Sequence, residues 1–400
     1  MKTGSSDLMS LDEEHMRRAL ALARSGIGLV SPNPAVGAVV VDESGREVGT
    51  GTHTYEGLKH AEVLAFEQAG ARARGATLYL NLEPCSHQGR TGPCADAVIA
   101  AGISRVVCSM QDPNPRVAGQ GFAKLREAGI KVEVGMCQAE ARKLNESFAK
   151  YIVAGRPLVT LKSAMTLDGK IADAAKPGSK RDSESQPSAS EGARSGYHWI
   201  TGEAARAHVQ QLRHQSDAIM VGVGTVMADD PLLTDRSGLP RRRKLLRVIL
   251  DSYLRIPPTS RVIQTAENDV LVLYSNADEK NKSALEAKGI RLQQISTTAS
   301  DGRPDFAAII KTLGELQISS LLIEGGSLVN GAALASGEVD KVFLYYAPRI
   351  LGGSAVPFIA GEELHAKPQF VHRYELHRFG EDFALEGYLR DPYSADPYST

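Results

Sequence analysis

Helical and extended patterns alternate along the first 130 residues, and this alternation limits the fold more than any single motif does. DEEHMRRALALARS (12–25) places Met16, Ala19, Leu20 and Ala23 at helical spacing, with Gly26 as a stop. AVGAVVVD (35–42) is a β-branched run that predicts a buried strand, and HAEVLAFEQAG (60–70) predicts a helix closed by Gly70. ATLYLNLEP (76–84) predicts a strand, and CADAVIAAG (94–102) a helix with Pro93 pre-set before it and Gly102 behind it. SRVVCSM (104–110) and QGFAKLREAG (120–129) predict another strand and another helix. Such alternation predicts a layered α/β domain. A second α/β domain begins near RPLVTLKSAMTLDGKIA (156–172), with apolar strands at 218–223, 246–251, 270–274, 320–324 and 341–346. The expected division is 1–152 and 153–400. Within the second part, AAKPGSKRDSESQPSASEGARSG (174–196) is nearly free of apolar residues, which predicts a flexible surface loop.

Charge and composition narrow the function. The formal net charge is −1, so the long-range field that steers nucleic acid is missing. A local cluster, Arg241-Arg242-Arg243-Lys244, is expected to be a solvated loop. No apolar run reaches the ~18–20 residues of a membrane span. The first twenty residues are polar and acidic, unlike a signal or transit peptide. Four cysteines in 400 residues argue against a disulfide scaffold and for a reducing, cytoplasmic setting.

Two of those cysteines lie in EPCSHQGRTGPC (83–94), with eight residues between Cys85 and Cys94. The intervening Gly89 and Gly92 allow the loop to fold back and bring the two sulfurs together. Cys94 begins a predicted helix, and a helix start favours the thiolate a metal requires. His60 begins another predicted helix, while Cys85 follows Pro84 at a predicted strand end. Two cysteines alone are more often small buried residues. One His and two Cys make three protein ligands, and a catalytic zinc site keeps its fourth position for water. Glu62, two residues after His60, is poorly placed to be a ligand but well placed to carry protons. This is the logic of zinc deaminases.

Signals in the second domain are softer. SLLIEGGSLVNGAAL (320–334) is a strand, a Gly-Gly-Ser turn and a helix, which suits either a phosphate at the helix start or simple tight packing. It is not the G-x-G-x-x-G fingerprint. In DAIMVGVGTVMADDPLLTDR (217–236), the paired acids Asp229 and Asp230 are solvated or capping residues on the ordinary reading. Trp199, the only tryptophan, is either core or a stacking face.

PNPAVGAVVV (32–41), HAE (60–62) and EPCSHQGRTGPC (83–94) resemble the deaminase domain of the bifunctional riboflavin-biosynthesis deaminase/reductases, whose own cysteine spacing this is. The resemblance implies a cytidine-deaminase-like three-layer α/β domain in which His60, Cys85 and Cys94 bind Zn²⁺. Glu62 would shuttle protons, Asn33 would hold the pyrimidine, and His53 would either line that pocket or be solvated. Gly92 stands where the family usually has proline.

LKSAMTLDGKIA (161–172), WITG (199–202), VGVGTVMADDPLLTDR (221–236), RVILDS (247–252) and IEGGSLVNGAAL (323–334) resemble the family's reductase domain, which has a dihydrofolate-reductase-like α/β fold and uses NADPH. Carried over by motif, Ala164, Trp199, Thr225, Asp229, Gly326, Ser327 and Asn330 would contact NADPH. Arg213, Leu232, Arg236 and Glu324 would contact substrate, the two arginines suiting a phosphate, and Lys162 would lie near the reacting sugar. Tyr197 stands where a small serine is common. The implied function is zinc-dependent deamination of a 2,5-diamino-6-(phosphoribosylamino)pyrimidinone, then NADPH reduction of its ribosyl group to ribityl. The implied partners are small-molecule substrates and further copies of the chain, a dimer or tetramer, with neither nucleic acid nor membrane. A nucleic-acid base deaminase and a non-enzymatic metal module are the competing readings.

Overall fold

A computed structural model of the chain describes residues 10–57, 59–86, 92–173, 199–297, 302–361 and 368–394. The 174–196 segment and Tyr197 lie outside the described residues. The chain divides into two compact units: Met1–Ala154 with Pro240–Arg243, and Gly155–Leu239 with Lys244–Thr400.

In chain order the first unit runs α1 Leu11–Ser25, β1 Gly37–Val41, β2 Glu47–Thr52, α2 Ala61–Ala69, β3 Thr77–Leu80, α3 Cys94–Ala100, β4 Arg105–Cys108, α4 Gln120–Glu127, β5 Lys131–Val134, α5 Gln138–Leu144 and α6 Glu146–Ala154. The Ser10 side chain caps α1, three acids occupy its first turn, and Gly26 closes it. Its buried residues are Met16, Ala19, Leu20 and Ala23, the four the helical spacing selects.

Among the described residues the strands form one sheet in the order β2-β1-β3-β4-β5. β1 is antiparallel to both neighbours, and β3, β4 and β5 are parallel. All five residues of β1 are buried, as its β-branched composition predicts for a central strand. Ala38, Val40, Leu78, Leu80 and Val106 pack on α2, α3 and α4. Tyr79, pointing to the opposite face, meets His15 of α1. The unit is therefore three layers. Gly49 and Gly51 let α2 lie hard against β2, since a Cβ on either would collide with the Ala65 or Ala61 carbonyl.

The second unit runs β6 Leu158–Thr166, β7 Lys170–Ala172, α7 Glu203–Gln215, β8 Ala218–Gly222, α8 Val223–Asp229, β9 Leu246–Leu250, α9 Arg261–Gln264, β10 Val270–Tyr274, α10 Glu279–Glu286, β11 Arg291–Gln294, α11 Phe306–Glu315, β12 Ser320–Ile323, α12 Ser327–Ala335, β13 Lys341–Ala347, β14 Val356–Pro357, β15 His372–Phe379 and β16 Asp382–Tyr388. Its main sheet has the order β11-β10-β9-β8-β12-β6-β13-β16-β15 among the described residues. Strands β11 to β13 are mutually parallel, and β16 and β15 add an antiparallel edge. One face packs on α11 and α12, the other on α7, α8, α9 and α10.

The solvated-loop reading of the basic cluster is corrected. The Arg242 amide donates to the Gly28 carbonyl at 2.8 Å. Its guanidinium stacks 3.8 Å over the Tyr55 ring, and Arg241 to Arg243 are half-buried. A guanidinium plane is weakly hydrated and gains by lying on an aromatic face. The acids at 229–230 divide: Asp229 is exposed at the end of α8, whereas Asp230 caps α9, accepting from the Arg261 amide at 2.8 Å.

Candidate active sites

His60 is the N-cap of α2 and Cys94 the first residue of α3. β3 ends at Leu80, earlier than the sequence pattern predicts, so Cys85 sits in the segment beyond the strand. A buried carboxylate fixes that segment. Glu83 accepts the amides of Asp112 and Gly119 on one oxygen, both at 3.0 Å, and of Gly121 and Phe122 on the other, at 2.9 and 3.3 Å. It thereby caps the start of α4, whose own N-cap is the glycine Gly119.

The three side chains converge. His60 Nδ1, Cys85 Sγ and Cys94 Sγ all lie within 4.8 Å of one another. His60 Nδ1 is 3.0 Å from Cys94 Sγ and 3.6 Å from Cys85 Sγ, and the Cys94 amide donates to Cys85 Sγ at 3.2 Å. The hydrogen bond between the two cysteines holds the Cys85 thiol well below its ordinary range and pushes Cys94 up. Hydrogen bonding to Cys85 raises His60. Glu62 is buried in α2, one carboxylate oxygen has no hydrogen-bond partner, and burial raises its pKa. One imidazole and two thiols within bonding reach of one point are a zinc donor set. An orphaned buried carboxylate oxygen beside them suits a metal-associated water better than a packed core.

Asn33 and His53 lie beside this cluster. His53 is buried, 5.1 Å from the His60 ring. Burial lowers its pKa, so the ring is neutral: Nδ1–H donates to the Lys59 carbonyl and Nε2 accepts from Asn33 Nδ2, each at 3.2 Å. That orients the Asn33 amide and leaves its oxygen for a ligand. The turn is held by two asparagines that the sequence pattern does not single out. Asn81 bonds the Gly37 amide and the Ala35 carbonyl, and Asn145 bonds both backbone groups of Ala35.

In the second unit, Glu324 lies just beyond β12. It accepts Arg213 Nε at 2.7 Å and Nη2 at 3.2 Å, and Lys162 Nζ at 3.3 Å. Burial would raise the Glu324 pKa, but Arg213 and then Lys162 outweigh it and hold the carboxyl down to about 2. Arg213 Nη1 also donates to the Thr234 carbonyl at 3.0 Å. The Arg213 fork is thus engaged with Glu324, whereas Arg236 is exposed. The Leu232 carbonyl accepts from Arg247, a fully buried arginine paired with Asp269.

Gly326 caps α12, whose first residue is Ser327. Ser327 Oγ and Asn330 Oδ1 are buried without hydrogen-bond partners. A Cβ on Gly325 would run into Val329, and one on Gly326 would stand 3.3 Å from Thr225 Oγ1 on α8. Thr225 and Asp229 are one helical turn apart, on one face of α8. A bare glycine turn with the unpartnered Ser327 hydroxyl at a helix start fits the phosphates of a dinucleotide such as NADPH. It lies at the carboxyl ends of β8 and β12, where open parallel sheets bind ligands. Ala164 sits on β6 opposite Tyr345. Trp199 is not core: it is 58% exposed, with the Arg206 guanidinium 5.4 Å from its ring centre.

Comparison with known proteins agrees with this geometry. Residues 9–110 match the cytidine and deoxycytidylate deaminase zinc-binding region, and residues 157–385 match the RibD C-terminal domain. The riboflavin biosynthesis protein RibD of Aquifex aeolicus is 40% identical over 378 residues, covering 94% of this chain and 98% of its own. The structure of Acinetobacter baumannii RibD superposes with a TM-score of 0.77 at 35% identity, over 95% of this chain and 99% of that one. A Thermotoga maritima diaminohydroxyphosphoribosylaminopyrimidine deaminase/5-amino-6-(5-phosphoribosylamino)uracil reductase gives 0.74 at 35% identity, covering 94% and 98%. The fold is accordingly a cytidine-deaminase-like α/β domain followed by a dihydrofolate-reductase-like one. With relatives this similar over nearly its whole length, the chain belongs to the RibD family of riboflavin-biosynthesis deaminase/reductases.

Proposed function

We propose that residues 1–152 carry the deaminase chemistry and 153–400 the reductase chemistry of a bifunctional riboflavin-biosynthesis enzyme. The first step replaces the 2-amino group of 2,5-diamino-6-(5-phosphoribosylamino)pyrimidin-4-one. The second reduces the ribosyl group, giving 5-amino-6-(5-phosphoribitylamino)uracil. The observation that carries the reading is the His60, Cys85 and Cys94 triangle with the buried, unpaired Glu62 oxygen beside it.

His60, Cys85 and Cys94 would hold Zn²⁺, which supplies the Lewis acidity that makes water a nucleophile near neutral pH. Glu62 takes a proton from the attacking water and delivers it to the departing nitrogen as the ring carbon gains oxygen and loses ammonia. Its raised pKa suits both transfers. Asn33, oriented by His53, holds the pyrimidine edge. In the second unit, NADPH supplies the hydride. Ala164, Trp199, Thr225, Asp229, Gly326, Ser327 and Asn330 would bind it, with orphaned polar atoms on Ser327 and Asn330 in support. Lys162 and Glu324 address the sugar, Arg213 fixes Glu324, and Leu232 and Arg236 complete the substrate pocket, Arg236 facing the phosphate.

The enzyme works in the reducing cytoplasm, in keeping with its free cysteines. It self-associates as a dimer or tetramer. Tyr374 and Leu376 on the outer strand β15 are more than half exposed, an apolar surface that a second copy would cover. Among the described residues no helix is long and apolar enough to cross a membrane.

Ammonia release and NADPH loss, followed together in native and Glu62→Ala protein, test the function. Native protein releases ammonia and then consumes NADPH, and the variant does neither from the diamino substrate while keeping its zinc. Full activity in a zinc-loaded Glu62→Ala protein refutes the proton-carrier role.

A further inference from the structure

Behind the pair of Lys162 and Glu324 lies a second polar contact with no place in the scheme above. Tyr345, on β13, is completely buried. In the parallel register Tyr345 pairs with Ala164, and Phe343 with Lys162, so the Tyr345 ring lies diagonally beside the lysine. Lys162 Nζ is 5.9 Å from the centre of that ring, within cation–π range. The Tyr345 hydroxyl meets His208 Nδ1 at 2.6 Å. Burial holds His208 below its ordinary pKa, so a neutral imidazole accepts the phenolic proton. A buried phenol needs such a partner, and the bond locks the ring about its axis.

His208 and Arg213 both belong to α7. The helix therefore fixes the lysine from two sides. Arg213 sets the carboxylate that attracts the ammonium, and His208 sets the aromatic face beneath it. A lysine has a flexible four-carbon stem, and Glu324 alone leaves its ammonium free to swing about one oxygen. Resting on the assignment of Lys162 to the reacting sugar, we propose that Tyr345, locked by His208, is a positioning residue that holds the Lys162 ammonium in the reductase site.

The test compares Tyr345→Leu, Tyr345→Phe, Lys162→Met and the double variant Lys162→Met/Tyr345→Leu in the full-length protein. NADPH absorbance is followed on substrate already deaminated by native enzyme. Losing the ring lowers kcat of reduction roughly tenfold, while phenylalanine, which keeps the face but loses the bond to His208, costs roughly threefold, as removing His208 does. The KM for NADPH and the rate of ammonia release do not move in either variant. Over Lys162→Met, the leucine substitution costs nothing more. If Tyr345→Leu does not fold, His208→Leu carries the same comparison: a lower kcat in the native background and no further loss over Lys162→Met. An equal loss in both backgrounds, or a raised KM for NADPH at unchanged kcat, overturns the proposal by showing that Tyr345 acts elsewhere. A Lys162→Met protein with native kcat is a different failure. It removes the lysine from the reaction, and the positioning role falls with it.

Discussion

Replacing Glu83 with glutamine tests whether the zinc site depends on the scaffold behind it. Each Glu83 oxygen accepts two backbone amides, from Asp112 and Gly119 on one side and from Gly121 and Phe122 on the other. The glutamine side chain has one oxygen and one NH₂, so two of the four amides then face a donor. A buried donor left unpaired costs about 1–3 kcal/mol, which puts the change at about 2–6 kcal/mol. For a unit of this size each kcal/mol moves Tm by about 2–4 °C, so a drop of about 8–16 °C is expected for a loss near the middle of that range. Cys85 lies two residues beyond Glu83, and the released α4 start includes Gly121, whose Cβ position abuts the Pro84 carbonyl. Zinc affinity should therefore fall about 10- to 100-fold, the usual effect of losing a group that orients a ligand. Thermal melts in excess zinc and in chelator, with zinc release followed by a chromogenic chelator, separate the two effects. A Glu83→Gln protein that melts within about 2 °C of native and holds zinc as tightly would refute the argument.

Two more predictions follow from the polar network of each unit. The Glu324 carboxyl is held near 2 in the folded chain against an ordinary 4.5, so its ion pairs stabilise the fold fully above pH 4.5 and are lost as pH falls toward 2. That contribution is about 3 kcal/mol, and the Glu324→Gln protein should show a flatter stability profile than native between those pH values; parallel acid-unfolding curves would contradict it. If Asn33 holds the pyrimidine as proposed, Asn33→Ala removes one oriented hydrogen bond to it. It should raise the KM of deamination about tenfold with zinc content unchanged, measured by ammonia release and metal analysis; an unaltered KM would take Asn33 out of the pocket.

Sequence periodicity located much of the first unit because its helices bury one clean stripe each. The four buried positions of α1 are those at helical spacing. It did not reveal β2, whose sequence EVGTGT has no apolar alternation. The reason is the packing of α2, which leaves room only for glycine at Gly49 and Gly51. Nor did it reveal β15, an edge strand carrying charge and largely exposed. β-strands at an edge are shaped by solvent and by negative selection against pairing rather than by a core. The basic cluster misleads for the opposite reason. Its neighbours in sequence are polar, but Arg242 finds its aromatic partner nearly 190 residues earlier, at Tyr55, a distance that no local pattern can report.

The candidate sites divide along the same line. His60, Cys85 and Cys94 are legible because a metal needs particular donor types, and the donor types are written in the residues themselves, with Glu62 legible by its place two residues after His60. What makes those donors converge is not. Glu83 acts on amides 29 to 39 residues away, and Asn145 holds Ala35 from 110 residues away. The second unit shows the same separation between the residue that acts and those that aim it. Lys162, Glu324 and Arg213 follow from the resemblance, whereas Tyr345 and His208, on β13 and α7, stand in no motif. A buried charge is tolerable only when its partners are fixed, so these distant residues are as much a requirement of the chemistry as the lysine is. Motifs name the reacting groups, and only the packed structure shows what holds them in register.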